Sequence, residues 1–298
     1  MYKNLKDRNG LYSNIYEEVS LADTTAVTAQ DIGSWNIFDC TDGKCKRTYG
    51  YIKSGDALPA DTKYFSFAST GENNIVDFTG VQCATADDIG NLLTNGELCT
   101  QGANTPVKKA MTSSALLISN EQSNIFASSE SSTSIVIKAT TSSFTLDYTD
   151  RFNLYKVDSN AITTPDHADF DDASKRAKIG LFECADNGIC KNVSGYAYDA
   201  EGALYYDIGN TLGATETTDT ANAECTNYIG KFIKISNRKY LCVSSTEKVE
   251  LPILGSDVQS YILGEVASGS KLESNKMIRM TSTTIVVDKS YEGKIMKY

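Results

Sequence analysis

The sequence predicts a mainly β protein made of two similar disulfide-bonded β domains in tandem, and three observations carry that expectation. A cysteine-flanked turn followed by a Gly-Tyr pair occurs twice. The remaining cysteines recur in the same order. The patterned segments are rich in Thr, Ser, Tyr, Val and Ile, which suit a pleated, half-buried surface better than a helix.

The first copy of the turn stretch runs Phe38-Asp39-Cys40-Thr41-Asp42-Gly43-Lys44-Cys45 and continues to Gly50-Tyr51; the second runs Phe182-Glu183-Cys184-Ala185-Asp186-Asn187-Gly188-Ile189-Cys190 and continues to Gly195-Tyr196. Asp-Gly and Asn-Gly tolerate the positive φ of tight hairpins. A two-residue loop at Asp42-Gly43 pairs Thr41 with Lys44 and makes Cys40 face Cys45. A three-residue loop, Asp186-Asn187-Gly188, pairs Ala185 with Ile189 and makes Cys184 face Cys190. Facing hairpin positions bring Cα atoms near the roughly 4.4–6.8 Å that a disulfide requires. With all cysteines oxidised, Cys83 then bonds Cys99 and Cys225 bonds Cys242.

Cys40, Cys45, Cys83 and Cys99 match Cys184, Cys190, Cys225 and Cys242 at a nearly constant offset, which marks an internal duplication. Ile137-Lys138-Ala139-Thr140 through Leu146-Asp147 lines up without a gap with Ile278-Arg279-Met280-Thr281 through Val287-Asp288. The expected units are 1–149 and 150–298. The tail Lys294–Tyr298 occupies the place of Asn153–Val157, so the sequence reads as a slice of a longer array. Met1-Tyr2-Lys3 leads into polar sequence rather than a signal peptide, which fits an internal fragment.

Strands are expected along Trp35–Phe38, Tyr64–Phe67, Asn74–Phe78, Leu204–Ile208, Ser134–Ile137, Phe144–Asp147, Met277–Met280 and Ile285–Asp288. Ile15–Val19 reads as strand or short helix. Ala86–Leu93 suggests one helical turn, and its counterpart Tyr228–Ile233 reads as strand. Ala115–Ile118 aligns with Leu251–Leu254. Asp56–Asp61 is an inserted loop of the first unit. Asn160–Lys178, with Asp166, Asp169, Asp171 and Asp172, reads as an exposed connection or one short helix.

A chain of 298 residues holds two domains of about 150 residues, each large enough for a core. The net charge of −10 disfavours nucleic acid and anionic membrane as partners. No apolar run reaches the roughly 20 residues that span a bilayer. Paired cysteines point to an oxidising, extracellular compartment.

Chemistry is sparse. His167 is the only histidine, has no counterpart in the first unit, and is therefore a poor candidate for a Ser-His-Asp or Cys-His site. Phosphate-loop, dinucleotide and nucleophile-elbow motifs are missing. The cysteine intervals are unlike zinc knuckles, and disulfides are the stronger reading. The acidic run Asp166–Asp172 lacks the glycine and distant glutamate of a calcium loop, so a solvated charge run is preferred to calcium. Non-local carboxylate pairs for glycoside hydrolysis stay open, and tyrosines could stack on sugar. No cofactor is expected. Asn192-Val193-Ser194 is a glycosylation sequon.

The repeat, Cys-x4/5-Cys followed by Gly50-Tyr51-Ile52 or Gly195-Tyr196-Ala197, then Tyr64-Phe65 or Tyr205-Tyr206, and late Ile135-Val136-Ile137-Lys138-Ala139, resembles the repeats of anaerobic gut-fungal scaffoldins. The resemblance covers both units nearly end to end. The second unit departs in its extra inter-cysteine residue and in Ala197 for Ile52. What the resemblance implies is a cohesin-like, non-catalytic role: each unit binds dockerin modules of secreted plant-cell-wall-degrading enzymes, and valency concentrates those enzymes. The competing classes are a structural or adhesive cell-surface repeat and a carbohydrate-binding module.

Aromatic residues shared by both units are the candidates for a partner face. Phe38 and Phe182 precede the cysteine hairpins and are expected in the core. Neighbours in a strand point to opposite faces, so one member of Tyr64-Phe65 and of Tyr205-Tyr206 is expected to be exposed. Tyr51, Tyr64, Tyr196 and Tyr205 are accordingly expected on partner-facing surface; the alternative is that they support the fold.

Overall fold

The computed structural model describes residues 2–5, 15–18, 28, 32–41, 44–54, 62–68, 72–102, 104–112, 115–119, 126, 134–146, 152–159, 161–184, 189–221, 224–255 and 258–288. The Asp42-Gly43 turn, the loop from Ala185 to Gly188, the whole inserted loop 56–61 and the tail 294–298 lie outside them, as do the side chains of Cys40 and Cys45. The fold is mainly β, with two short α-helices, His167–Asp171 and Ala173–Arg176.

The chain forms two compact units that interleave in sequence. One comprises Met1–Arg151, Asp158–Ile162 and Cys184–Lys191; the other comprises Phe152–Val157, Thr163–Glu183 and Asn192–Tyr298.

In the first unit, Gly50–Lys53 pairs antiparallel with Tyr64–Phe67 on one side and with Ser143–Leu146 on the other. The ladder continues from Ser143–Leu146 to Ser134–Ala139 and then to Ala115–Ser119. Asn73–Ile75 extends the opposite end. Trp35–Thr41 and Lys44–Thr48 form the cysteine hairpin, in which Cys40 stands directly across from Cys45. Ile15–Glu18, open to two readings in sequence, is a strand paired with Tyr2–Leu5.

The second unit repeats this ladder. Gly195–Asp199 lies between Leu204–Ile208 and Thr284–Val287. Met277–Met280 follows, then Gln259–Ile262, while Ala214–Glu216 extends the opposite end. Even the turns agree: the Thr140 amide donates to the Ser143 carbonyl at 2.9 Å, and the Thr281 amide to the Thr284 carbonyl at 2.8 Å.

Register corrects one sequence alignment. Leu117 stands across from Ile137, and Tyr261 across from Ile278, so the counterpart of Ala115–Ser119 is Gln259–Ile262. Leu251–Leu254 does not occupy that place. Leu251 ends the strand Lys248–Leu251, which pairs with Arg238–Cys242 as Val107–Ala110 pairs with Glu97–Thr100. Apolar runs of similar length are interchangeable in sequence; only the ladder fixes which run crosses which strand.

Three disulfides are described: Cys83–Cys99, Cys184–Cys190 and Cys225–Cys242. Cys184–Cys190 is the pairing that hairpin geometry predicts, and Cys83–Cys99 and Cys225–Cys242 are the pairings that then follow from full oxidation. Phe182 is buried, as expected, whereas Phe38 is half-buried. Ala86–Asp88 is a single 3-10 turn, capped reciprocally by Thr85 and Asp88.

Each central sheet is covered on both faces. In the first unit, Tyr51, Tyr64, Phe144 and Leu146 face a core completed by Leu92, Leu98 and Phe126. Phe65 and Phe67 face another core, made with Ile32, Trp35 and Ile37. In the second unit, Tyr196, Tyr205, Ile285 and Val287 pack with Phe232, Leu241 and Leu263, while Ala197, Tyr206 and Val286 pack with Phe170, Ile179 and Leu181. Burying one such side chain contributes about 1.5–3 kcal/mol.

The Gly-Tyr pair explains itself in this ladder. A Cβ on Gly50 would collide with the Phe144 carbonyl, and one on Gly195 with the Ile285 carbonyl. The tyrosine that follows reaches across the core. Tyr51 donates its hydroxyl to the Gly90 carbonyl at 2.7 Å, and Tyr196 donates to the Gly230 carbonyl at 2.9 Å. Gly90 and Gly230 both take left-handed φ, 93° and 78°, and their amides donate to the carbonyls of the disulfide residues Cys99 and Cys242. The tyrosine thus pins the central strand to the disulfide-closed segment in both units.

Among the described residues the Gly90 carbonyl accepts only from Tyr51, whereas Gly230 also accepts from the Ser270 hydroxyl at 2.8 Å. Tyr51→Phe is therefore expected to destabilise by about 1–3 kcal/mol, since a buried carbonyl is left unpaired, and Tyr196→Phe by about 1 kcal/mol. Urea unfolding of the two variants checks the order; equal losses would contradict it.

Candidate functional site

The four candidate tyrosines do not form a surface. Tyr51 is 6% exposed, Tyr64 8%, Tyr196 3% and Tyr205 3%. The expectation that they face a partner, and that one residue of each aromatic pair is exposed, is corrected. The reason is the second layer. In Tyr205-Tyr206, the outer face is closed by the helix His167–Asp171, whose Phe170 stacks on Tyr206 with ring centroids 4.7 Å apart. In Tyr64-Phe65, Trp35 packs edge-on against Phe65 at 6.0 Å. Tyr205 also packs on Phe232 and Tyr198, and burial pushes its hydroxyl pKa far above the usual value. These are fold-supporting residues.

Four of the described ion pairs lie around those short helices. Asp166 caps His167–Asp171: its carboxylate accepts from the Asp169 amide at 3.0 Å, and the Asp169 carboxylate accepts in return from the Asp166 amide at 3.2 Å. Asp172 caps Ala173–Arg176 by accepting from the Ser174 amide at 2.8 Å. The stretch Asp166–Asp172 is thus two successive cap sequences, which its aspartates encode. Among the described residues no group of His, Cys, Asp and Glu is arranged to hold a metal.

Asp169 is buried, and the Lys156 ammonium donates to both its oxygens at 2.7 Å. Burial works to raise the Asp169 pKa. The hydrogen bonds from Lys156 and the Asp166 amide, with the charges of Lys156 and Lys175, outweigh it and hold the carboxyl below its usual range.

His167 Nδ1 sits 2.7 Å from the buried carboxylate of Asp199, and its Nε2 lies 3.4 Å from Asp171. Hydrogen bonding to Asp199 is the main cause that raises the imidazole pKa; desolvation opposes it, and the charges of Asp199, Asp171 and Glu201 assist. The geometry at Nδ1 resembles the His-Asp half of a hydrolytic triad. The other nitrogen, however, faces a carboxylate, so neither is presented to a nucleophile. The arrangement locks an ion pair between the helix and the sheet.

Gly202 makes room for this lock, because a Cβ there would run into the Asp199 carboxylate and crowd His167. The ladder places Ser54 where the second unit has Asp199, since Lys53 faces Tyr64 as Tyr198 faces Tyr205. Ser54 is buried and accepts from the Lys63 amide at 2.8 Å. Sequence reading dismissed His167 as a catalytic residue and did not find Asp199. The available signal was that both depart from the repeat in the same unit.

Two clefts open on the second unit. One, of about 590 Å³, is lined by Thr226, Asn227, Ser244, Ser245 and Glu265 among others, with no aromatic side chain to stack on a sugar. The other, of about 260 Å³, contains Asn192 and Ser194 of the sequon with Lys271 and Glu273. Asn192 is half-buried at the end of the strand Ile189–Val193, and its Oδ1 is buried without a hydrogen-bond partner among the described residues. No helix among the described residues is long and apolar enough to cross a membrane.

Comparison with protein-family models, curated proteins and solved structures finds no match to this chain.

The His167 lock predicts a pH dependence. Its folded pKa lies above the ordinary 6.5, so its stabilisation is fully present below pH 6.5 and is lost as pH rises through the raised value. The melting-temperature gap between the native chain and His167→Gln should be widest near pH 5.5 and narrow towards pH 9. A gap that grows with pH would refute the ion pair.

Lys156→Met leaves the buried Asp169 carboxylate without its hydrogen-bonded cation, with Lys175 at 3.8 Å and the Asp166 amide remaining. Lysine is partly solvated here, so the expected cost is at the low end for a broken buried pair, about 2–3 kcal/mol. Urea unfolding reads it, and the double variant Lys156→Met, Asp169→Asn should recover part of the loss.

Proposed function

We propose that this chain is a non-catalytic, extracellular scaffolding segment whose repeats bind dockerin modules of plant-cell-wall-degrading enzymes. The observation that carries the reading is the duplicated build: the Gly-Tyr strand, its hydroxyl pin and its disulfide-closed segment occur in both units with the same register. A chain that makes one scaffold twice is suited to presenting the same kind of surface twice, and valency raises local partner concentration without chemistry.

The likeness of the repeat to fungal scaffoldin repeats gives the partner class. The closed arrangement of the His167 ring nitrogens supports the non-catalytic part. Disulfides fit an oxidising compartment. Burial of the shared tyrosines removes them as a dockerin face and also as sugar-stacking platforms.

Immobilised fungal dockerin should retain the intact chain, and isothermal titration should give more than one dockerin per chain. Pelleting with cellulose should leave the chain in the supernatant. Retention on cellulose without dockerin binding would replace this reading with a carbohydrate-binding module; binding to neither would leave the adhesive or structural class.

A further inference from the structure

The strand Gln259–Ile262 stands at the open edge of its sheet: it pairs with Met277–Met280 on one side and has no strand neighbour on the other among the described residues. The Leu263 amide donates to the Lys276 carbonyl at 2.9 Å, which fixes the phase of the ladder. Antiparallel hydrogen bonding alternates, so Gln259 and Tyr261 turn their backbone polar groups inward, and Ser260 and Ile262 turn theirs out to the edge. Edges are commonly defended by Lys, Pro or inward charges. Gln259-Ser260-Tyr261-Ile262 has none of these, and the apolar side chains beside it are exposed, Val258 at 50% and Ile262 at 62%.

The first unit shows what its counterpart edge does. Ala115–Ser119 takes the same place, and beyond it lies a further strand: Leu116 pairs with Ile162 and Leu117 with Ala161, antiparallel. The Ile162 side chain is 4% exposed. Ser260 stands where Leu116 stands, and Tyr261 where Leu117 stands. We propose that the edge Gln259–Ile262 is a β-strand acceptor site, and that its occupant is a short extended segment of the Ala161-Ile162-Thr163 kind supplied by another repeat. The added strand pairs its isoleucine with Ser260. Repeat-to-repeat strand addition then joins units of an array through main-chain hydrogen bonds, with specificity from one buried β-branched side chain. This inference does not depend on dockerin being the partner.

The probe is a fluorescent peptide with the sequence of residues 158–165, titrated into the full chain and followed by anisotropy. Saturable binding is expected. Ser260→Pro removes an outward N–H without touching the inner ladder, and should weaken binding at least about ten-fold, the worth of one or two backbone hydrogen bonds. A peptide N-methylated at the isoleucine amide removes the reciprocal bond of the same residue pair, to the Ser260 carbonyl, on an unaltered protein and should also fail to bind. Absence of saturation up to millimolar peptide, equal binding of the two peptides, or binding that Ser260→Pro leaves intact would overturn the proposal. So would a concentration-dependent dimer of the chain alone in which Gln259–Ile262 pairs with the same strand of a second copy instead of an Ala161–Thr163 segment, which a Ser260→Cys cross-link between copies would report.

Discussion

One hydrogen bond, made twice, organises the protein: the tyrosine hydroxyl of the Gly-Tyr pair to the carbonyl of a left-handed glycine. It spans the core from the central strand to the segment closed by Cys83–Cys99 or Cys225–Cys242. The preceding glycine is required because a neighbouring carbonyl occupies the space of its Cβ. The receiving glycine is required because only its φ turns the carbonyl to the tyrosine while its amide meets the disulfide residue. A buried hydroxyl needs a partner, and a buried carbonyl does too. The motif satisfies both, and so the sheet and the disulfide-closed segment are held in one relation in each unit.

With that relation fixed, the two faces of the sheet are free to differ. The inner face carries the pin and is similar in both units. The outer face is covered by Trp35 with Ile32 and Ile37 in the first unit, and by Phe170 with Ile179 and Leu181 in the second. The strand that enters the cysteine hairpin supplies equivalent residues to both covers, Trp35 and Ile37 or Ile179 and Leu181; the second unit adds Phe170 from its helix, and each cover buries a strand aromatic, Phe65 or Tyr206. The helical cover of the second unit brings charge with it. Lys156–Asp169 and His167–Asp199 hold the helix to the sheet, and each aspartate is buried and met by a basic side chain. Breaking one partner is costly because it strands the other charge in the core.

This arrangement explains why chemistry-bearing residues here need not be catalytic. An imidazole beside a buried carboxylate is a familiar half of a catalytic group, yet both nitrogens of His167 face carboxylates. Aromatic residues repeated at equivalent positions are a familiar sign of a binding face, yet here they repeat because the core repeats. Repetition marks whatever each unit must contain, and what each unit must contain first is its own pin.

The sequence alone determined the β class, the duplication and the pairings Cys83–Cys99, Cys184–Cys190 and Cys225–Cys242. Those follow from local quantities: turn chemistry at Asp-Gly and Asn-Gly, β-branched composition and cysteine order. It also marked Gly50-Tyr51 and Gly195-Tyr196, without revealing why. The tertiary structure decided which apolar run crosses which strand, replacing Leu251–Leu254 with Gln259–Ile262 as the counterpart of Ala115–Ser119. It decided too that both members of Tyr205-Tyr206 are buried, and that Asp199 meets His167 across the fold. Alternation along a strand says that neighbours point opposite ways; whether the far side meets water or Phe170 depends on residues more than thirty positions distant, and no local pattern records that.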